Sequence, residues 1–288
     1  MTASDEKNKT SGGTLYLVAT PIGNLSDISE RAIKVLSEVD FVAAEDTRNS
    51  GKLLSILGIK KPMISYFEHN KKERGDEILS RLLVGESCAL VTDAGMPAIS
   101  DPGEDIVRLC HENGVPVRIV PGACACVSAL ALSGLQTKKF VFEGFLSAQK
   151  SERVKELSSI SSEERTLIFY EAPHKLFATL SDMLEILGDR KISLCRELTK
   201  INEETVVTTI KAAVEHYAEN EPRGEYVLVV AGADKEQIKN SSFFREMTVS
   251  EHVKHYENEG MSKSDAMKAC ARDRGVSKSE IYAAIMKK

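Results

Sequence analysis

Between Thr14 and Pro121 the chain alternates five short, β-branched apolar runs with amphipathic segments of helical length, and that alternation admits few folds. TLYLVAT, FVAAED, PMISYF, SCALVTD and VPVRIVP read as strands, most of them apolar enough to be covered on both faces. Between the first two, DISERAIKVLSEVD sets Ile28, Ala32, Val35, Leu36 and Val39 at helical spacing, behind a start signal running from Asp27 to Glu30. KERGDEILSRLLVG and GEDIVRLCHENG repeat the pattern, each closing on a glycine suited to end a helix. Alternation of this kind implies an α/β domain on a mostly parallel sheet.

PGACACVSALALSG reads as a linking helix, and a second α/β set follows it. Its strands are FVFEGFL, RTLIFYEA, KISLCREL, ETVVTTI and GEYVLVVAG, with KLFATLSDMLEILG the clearest helix; only one helix length separates the last two strands, which suits a mixed sheet. Beyond Gly232 the pattern turns wholly helical. Start signals at Ser262 to Asp265 and Ser277 to Glu280, with Gly275 between, predict two short helices in a helix-turn-helix-like arrangement or a small helical cap. The expected organisation is a disordered leader over 1–13, α/β domains over 14–121 and 122–233, and a helical tail over 234–288.

At 288 residues and 28% charged, the chain has the length for two domains and the composition of an ordinary soluble protein, so a cytoplasmic enzyme is expected. No apolar run approaches the roughly 18 to 20 residues that span a bilayer, and MTASDEKNKTSGG lacks the apolar stretch of a signal peptide. Six cysteines without a CxxC pair, two of them in ACACVSALAL, read as buried thiols and not as a metal site. The charge is unevenly spread: the last 28 residues carry +4 and the preceding 260 carry -9. A basic appendage on an acidic body is compatible with phosphate contact, and equally with a solvated helical face.

The distinctive loops all follow predicted strands: ATPIGN, TDAGMPAISDPG, PGACA, YEAPHK and RELTKINEE. Open α/β sheets bind ligands beyond the carboxyl ends of their strands, so five such loops point to a cleft. GxxxxGK[ST], GxGxxG after the first strand, GxSxG and HExxH are all absent. What remains is backbone, small residues and a few carboxylates, with no recognisable covalent nucleophile. Such a site suits a reaction in which a bound ligand supplies the reactive group and the protein supplies position.

ATPIGNLSDI, AAEDTR, VTDAGMPAISDPG, VRIVPGACA, FEGFL, FYEAPHK, CRELTKINEE and GEYVLVV, in that order, resemble the S-adenosylmethionine-dependent methyltransferases of the tetrapyrrole methylase fold. The set is similar, more closely, to the branch that methylates a cytidine ribose 2'-hydroxyl in 16S rRNA of the small ribosomal subunit. The chain departs from the family in showing PGACA where PGPSA is common, and GFLS where GFLP is. The resemblance implies two α/β domains with a cofactor cleft between them, S-adenosyl-L-methionine as cofactor, no metal, and a homodimer. By motif position it assigns cofactor contact to Pro21, Val91, Thr92, Asp93, Met96, Cys124, Ala125, Glu171 and Leu198.

A ribose hydroxyl attacks poorly until its proton leaves, so a general base or a cation beside the developing alkoxide is expected. Lys200, with its pKa lowered in a dry cleft, or Glu197 is the candidate; pairing with each other or with phosphates is the other role open to them. Arg48 and Lys52, with Lys60 and Lys61, then Arg196, and Arg272, Arg274 and Lys278 of the tail are candidates to hold RNA phosphates. Two further readings stay open at this level. One is a corrin-type or diphthine-type methyltransferase, though ATPIGN is not the GxGPGD-like first loop of those relatives; the other is a non-catalytic RNA-binding sensor.

Overall fold

The computed structural model of the chain describes residues 9–234, 247–274 and 276–286. It divides into two compact units, Met1–Ala129 with Glu197–Glu204, and Leu130–Arg196 with Thr205–Lys288. Residues 1–8 of the expected leader lie outside the described residues. The rest of that leader is ordered, because it finds partners: Thr10 Oγ1 donates to Glu38 Oε2 at 3.0 Å and Gly13 N to Gly85 O at 3.0 Å.

In the first unit, β1 (Leu15–Val18), β2 (Phe41–Ala44), β3 (Met63–Ser65), β4 (Cys88–Val91) and β5 (Val117–Val120) form a parallel sheet in the order β3-β2-β4-β1-β5. Successive side chains feed two opposite cores, as period-two alternation requires. Leu15, Leu17, Phe41, Ala43 and Leu90 pack with α3 (Lys71–Leu83) and α4 (Gly103–Glu112). Tyr16, Val18, Val42, Ala89 and Val91 pack instead with α1 (Glu30–Glu38) and with Leu54 of α2 (Thr47–Ile56). Helix α1 begins later than its start signal suggests. Ser29 is the residue whose hydroxyl reaches an open amide, Ala32 N at 3.1 Å, while Asp27 closes a preceding 3-10 turn.

The linking helix α5 (Ala125–Leu132) leads into the second unit. There β6 (Phe140–Phe145), β7 (Thr166–Glu171), β8 (Lys191–Arg196), β9 (Glu204–Thr209) and β10 (Tyr226–Val230) form the expected mixed sheet, ordered β6-β7-β10-β8-β9. β10 runs antiparallel to both β7 and β8, so those two point the same way. Helices α6 (Lys150–Ser159), α7 (Pro173–Leu187) and α8 (Ile210–Glu219) cover one face, burying Leu157, Leu176, Leu180, Met183 and Ile210 against Leu167, Phe169, Leu194 and Leu228. A buried ion pair pins α6 to α7: Arg153 Nε donates to Asp182 Oδ2 at 2.7 Å.

The tail holds three helices among the described residues: α9 (Val249–Asn258), α10 (Lys263–Arg274) and α11 (Lys278–Met286). Their shared core is Val253, Ala266, Met267, Cys270, Ala271 and Ile281. The two predicted helices are α10 and α11; α9 adds a capping box in which Thr248 and Glu251 satisfy each other's backbone amides.

Candidate active site

The first unit's strand order creates a crevice by itself. From β1 the chain crosses β4 to reach β2, and from β4 it crosses β1 to reach β5, so these adjacent strands send their helices to opposite faces. Ligands of open α/β sheets bind at such a switch point, beyond the carboxyl ends. Residues 19–24 leave β1 there, 92–102 leave β4, and 121–124 leave β5.

The first two loops are stitched together by backbone. Thr20 N donates to Gly95 O at 2.9 Å and Gly95 N returns to Thr20 O at 3.2 Å, while Thr20 Oγ1 donates to Thr92 O at 3.2 Å. There is little or no room for side chains where these segments meet. A methyl on Gly122 would stand 2.9 Å from Ala19 Cβ, and one on Gly95 would stand 3.1 Å from Ile22 Cγ2 and 3.4 Å from Ala123 O. The β4 loop also carries two left-handed non-glycine residues, Ala98 (φ 66°) and Ser100 (φ 65°), around an exposed Ile99. Asp101 holds that geometry, its Oδ1 accepting from Ala98 N at 2.9 Å and Gly103 N at 2.7 Å.

The segment 197–204, which follows β8 of the second unit, belongs to the first and closes over the end of the β1 loop. Asn24 N donates to Thr199 Oγ1 at 3.0 Å. Gly23 lies so close that an added methyl would meet Lys200 Cγ at 2.4 Å, Thr199 Oγ1 at 2.9 Å and Leu198 O at 3.0 Å. Glu197 (φ 50°) and Thr199 (φ 65°) are left-handed, and non-glycine residues in that region cost roughly 1–3 kcal/mol each, so the surroundings must impose them. Lys200 Nζ sits 2.8 Å from Glu197 Oε1, and both side chains are partly accessible.

Of the residues assigned by motif, Pro21, Val91, Thr92, Asp93, Met96, Cys124 and Ala125 stand on the β1, β4 and β5 ends, and Leu198 is a buried residue of the 197–204 loop. Thr92 Oγ1 donates to Glu45 Oε2 at 2.7 Å. Asp93 is spent at the start of α2, accepting from Asp46 N at 3.3 Å and Asn49 Nδ2 at 2.9 Å. Glu171 belongs to the second unit, where it flanks Tyr226 opposite Arg196. Its carboxylate is buried and engaged by Ala172 N at 2.9 Å, Lys175 Nζ at 3.2 Å and Thr179 Oγ1 at 2.5 Å, the work of a helix N-terminus.

The basic candidates disperse. Arg48 stands at the start of α2 with its guanidinium forked on Asp46, at 3.1 and 2.7 Å, and that hydrogen bonding draws the Asp46 carboxyl down to about 2. Lys52 is exposed on the same helix. Lys60 and Lys61 line a pocket of about 330 Å³ beside Met63, the first residue of β3, which puts them at the amino ends of the strands. Arg274 turns inward, donating to His252 Nδ1 at 3.0 Å and Met247 O at 2.6 Å; Lys278 is exposed, with Nζ 2.8 Å from Ser264 Oγ. Arg272 is on α10, and its side chain lies outside the described residues. Burial pushes the thiols of Cys110 and Cys126 up to about 11, so neither is a ready nucleophile. The described residues hold no metal-binding cluster and no helix long and apolar enough to cross a membrane.

Gly23, Thr20, Gly95 and Thr199 shape the site without having been singled out from sequence. The glycines are visible inside ATPIGN and TDAGMP, but what they accommodate lies far along the chain.

Residues 14–214 match the family model described as Tetrapyrrole (Corrin/Porphyrin) Methylases. The chain is 47% identical over 275 residues to a ribosomal RNA small subunit methyltransferase I of Bacillus subtilis (strain 168), covering 95% of this chain and 94% of the relative. A protein of the same description from Thermotoga maritima is 46% identical over 222 residues, which are 77% of this chain and 100% of the relative. Among solved structures, a diphthine synthase superimposes with a TM-score of 0.61 at 15% identity, covering 79% of this chain and 95% of that one, a likeness of fold.

Proposed function

The chain belongs to the tetrapyrrole methylase family, among the ribosomal RNA small subunit methyltransferases I, and from that premise we propose that it methylates the ribose 2'-hydroxyl of a cytidine in 16S rRNA of the small ribosomal subunit. The observation that carries this reading is the 47% identity sustained over 95% of the chain. The cofactor is S-adenosyl-L-methionine, which supplies, when bound, a methyl group made electrophilic by a sulfonium.

The residues present fit that group. Gly95 and Gly122 let the β1, β4 and β5 loops pack closely at the switch point, and backbone carbonyls of such loops are the groups that accommodate a cation. Pro21, Val91, Thr92, Met96, Cys124, Ala125 and Leu198 would line the crevice, with Asp93 beside them, its carboxylate held by Asp46 N and Asn49. Glu171 supports the second unit's edge through its contacts with α7.

Glu197 and Lys200 divide the remaining chemistry. With Nζ 2.8 Å from Oε1, the pair sets a cation and a proton acceptor side by side: Lys200 stabilises the developing alkoxide and Glu197 accepts the hydroxyl proton. Such assistance contributes about 100-fold to 10,000-fold, and fixing the two reactants in line contributes more. Arg48, Lys52, Arg196, Arg272 and Lys278 are the cations that this reading assigns to RNA phosphates. Arg274 reaches RNA only by leaving His252. The protein acts as a homodimer in the cytoplasm.

The test is transfer of radiolabelled methyl to small ribosomal subunits, with naked 16S RNA and a tetrapyrrole as parallel substrates. Label on the subunit that maps to a cytidine 2'-oxygen is the expected result; label on the tetrapyrrole alone rejects the reading.

A further inference from the structure

Ile201 is 102% exposed, as open to water as a residue in an extended peptide. A single exposed isoleucine is ordinary on a protein surface. This one is held out by a loop built to hold it. Left-handed Glu197 and Thr199 precede it, Lys200 N donates to Glu197 O at 3.0 Å, Glu203 N to Lys200 O at 3.1 Å, and Thr199 N to Glu203 Oε2 at 2.5 Å. Leu198 anchors the loop from below, and Gly23 lets it lie directly on the β1 loop. The result is a β-branched apolar side chain presented to solvent one residue after Lys200, which pairs with Glu197.

We propose that Ile201 is a wedge that enters the RNA stack beside the target nucleotide and keeps it open while the ribose reaches Lys200 and Glu197. The inference rests on the RNA-methylating reading above. Enzymes that modify a base draw its nucleotide out of the stack; here the wedge turns the nucleotide so that its ribose hydroxyl meets the pair, and apolar side chains such as isoleucine serve elsewhere as wedges between bases. A wedge must be apolar, since it replaces a base, and rigid, since a side chain that yields holds nothing apart. Ile201 is apolar, its β-branch restricts χ1, and the hydrogen-bonded loop fixes the backbone that carries it. Ile99, only 43% exposed, lies at a second strained loop and is the natural control.

The experiment measures steady-state methylation of small ribosomal subunits by the wild-type chain and by Ile201→Ala, Ile201→Phe and Ile99→Ala. Opening the stack follows docking, so Ile201→Ala should lower kcat at least tenfold. Its KM for subunits should stay within twofold, with unchanged cofactor affinity and Tm. Ile201→Phe, which restores bulk, should recover most of the rate, and Ile99→Ala should lose less than Ile201→Ala. Wild-type turnover in Ile201→Ala, a loss confined to KM, or equal damage from Ala and Phe each overturns the wedge. If the wild-type chain binds cofactor but labels no RNA, the underlying reading fails and takes the wedge with it.

Discussion

An alanine at Gly23 has nowhere to put its methyl, because Lys200 Cγ stands 2.4 Å away and the Leu198 carbonyl 3.0 Å. Gly23→Ala should therefore displace the 197–204 loop and lower kcat at least tenfold while costing about 1–3 kcal/mol of stability, as overpacking does; methyl-transfer kinetics beside urea unfolding separate the two. Lys200→Met should keep cofactor affinity, measured calorimetrically, and lose about 100-fold or more in turnover. The two residues differ in how far sequence alone reveals them. Lys200 and Glu197 are conspicuous as a dense polar cluster after an apolar strand. Gly23 is conspicuous only as a turn residue, because its real constraint is the segment where Thr199 bonds to Asn24 across 175 positions.

The helices with the strongest apolar stripes were legible, and those with thin ones were not. Helix α2 buries only Ser50 and Leu54, and α6 only Arg153 and Leu157, so neither shows the repeat that marks α1 or α4. Arg153 reads from sequence as one charge in a solvated run; its place in the interior depends on Asp182, in another helix. Breaking that pair leaves a buried charge without its partner, so Asp182→Ala should destabilise the chain by about 3–5 kcal/mol in urea unfolding. The tail carries its own acid sensitivity. Burial holds His252 below its ordinary range, with Asp273 opposing that shift, Arg274 and His255 adding to it, and Cys270 and Tyr256 beside the ring. The folded tail thus keeps His252 neutral while the unfolded chain takes up a proton near pH ~6.5. Stability from this source is complete above that pH and falls as pH drops below it. Hydrogen exchange across α9 to α11, corrected for intrinsic rates, should show the loosening, and His252→Gln should abolish its pH dependence.

Across the whole chain, the parallel sheet, the mixed sheet and the helical tail were readable from periodicity, since each depends on apolar spacing within one segment. The pairing order was not, because β1 finds β4 and β5 across long separations that no local pattern records. The Thermotoga maritima relative is matched along its full length by 77% of this chain, so nearly a quarter of this chain has no counterpart there. Removing residues 241–288 should leave cofactor affinity intact, because the β1, β4 and β5 loops lie in the first unit, and weaken engagement of ribosomal subunits, measured by sedimentation. Equal binding by the trimmed chain would assign the basic tail to solvation alone.

The segment 197–204 is flanked by strands of the second unit yet is a part of the first. The polypeptide therefore passes from one unit to the other three times, and no single cut yields a self-sufficient half. A fragment ending at residue 129 would carry the β1, β4 and β5 loops but neither Glu197 nor Lys200. Recombination among relatives that exchanges blocks at one junction would hand a recipient the β1, β4 and β5 loops of one parent and the Glu197–Lys200 pair of another. The pair and Gly23 must then be inherited together, although they are written in different thirds of the gene.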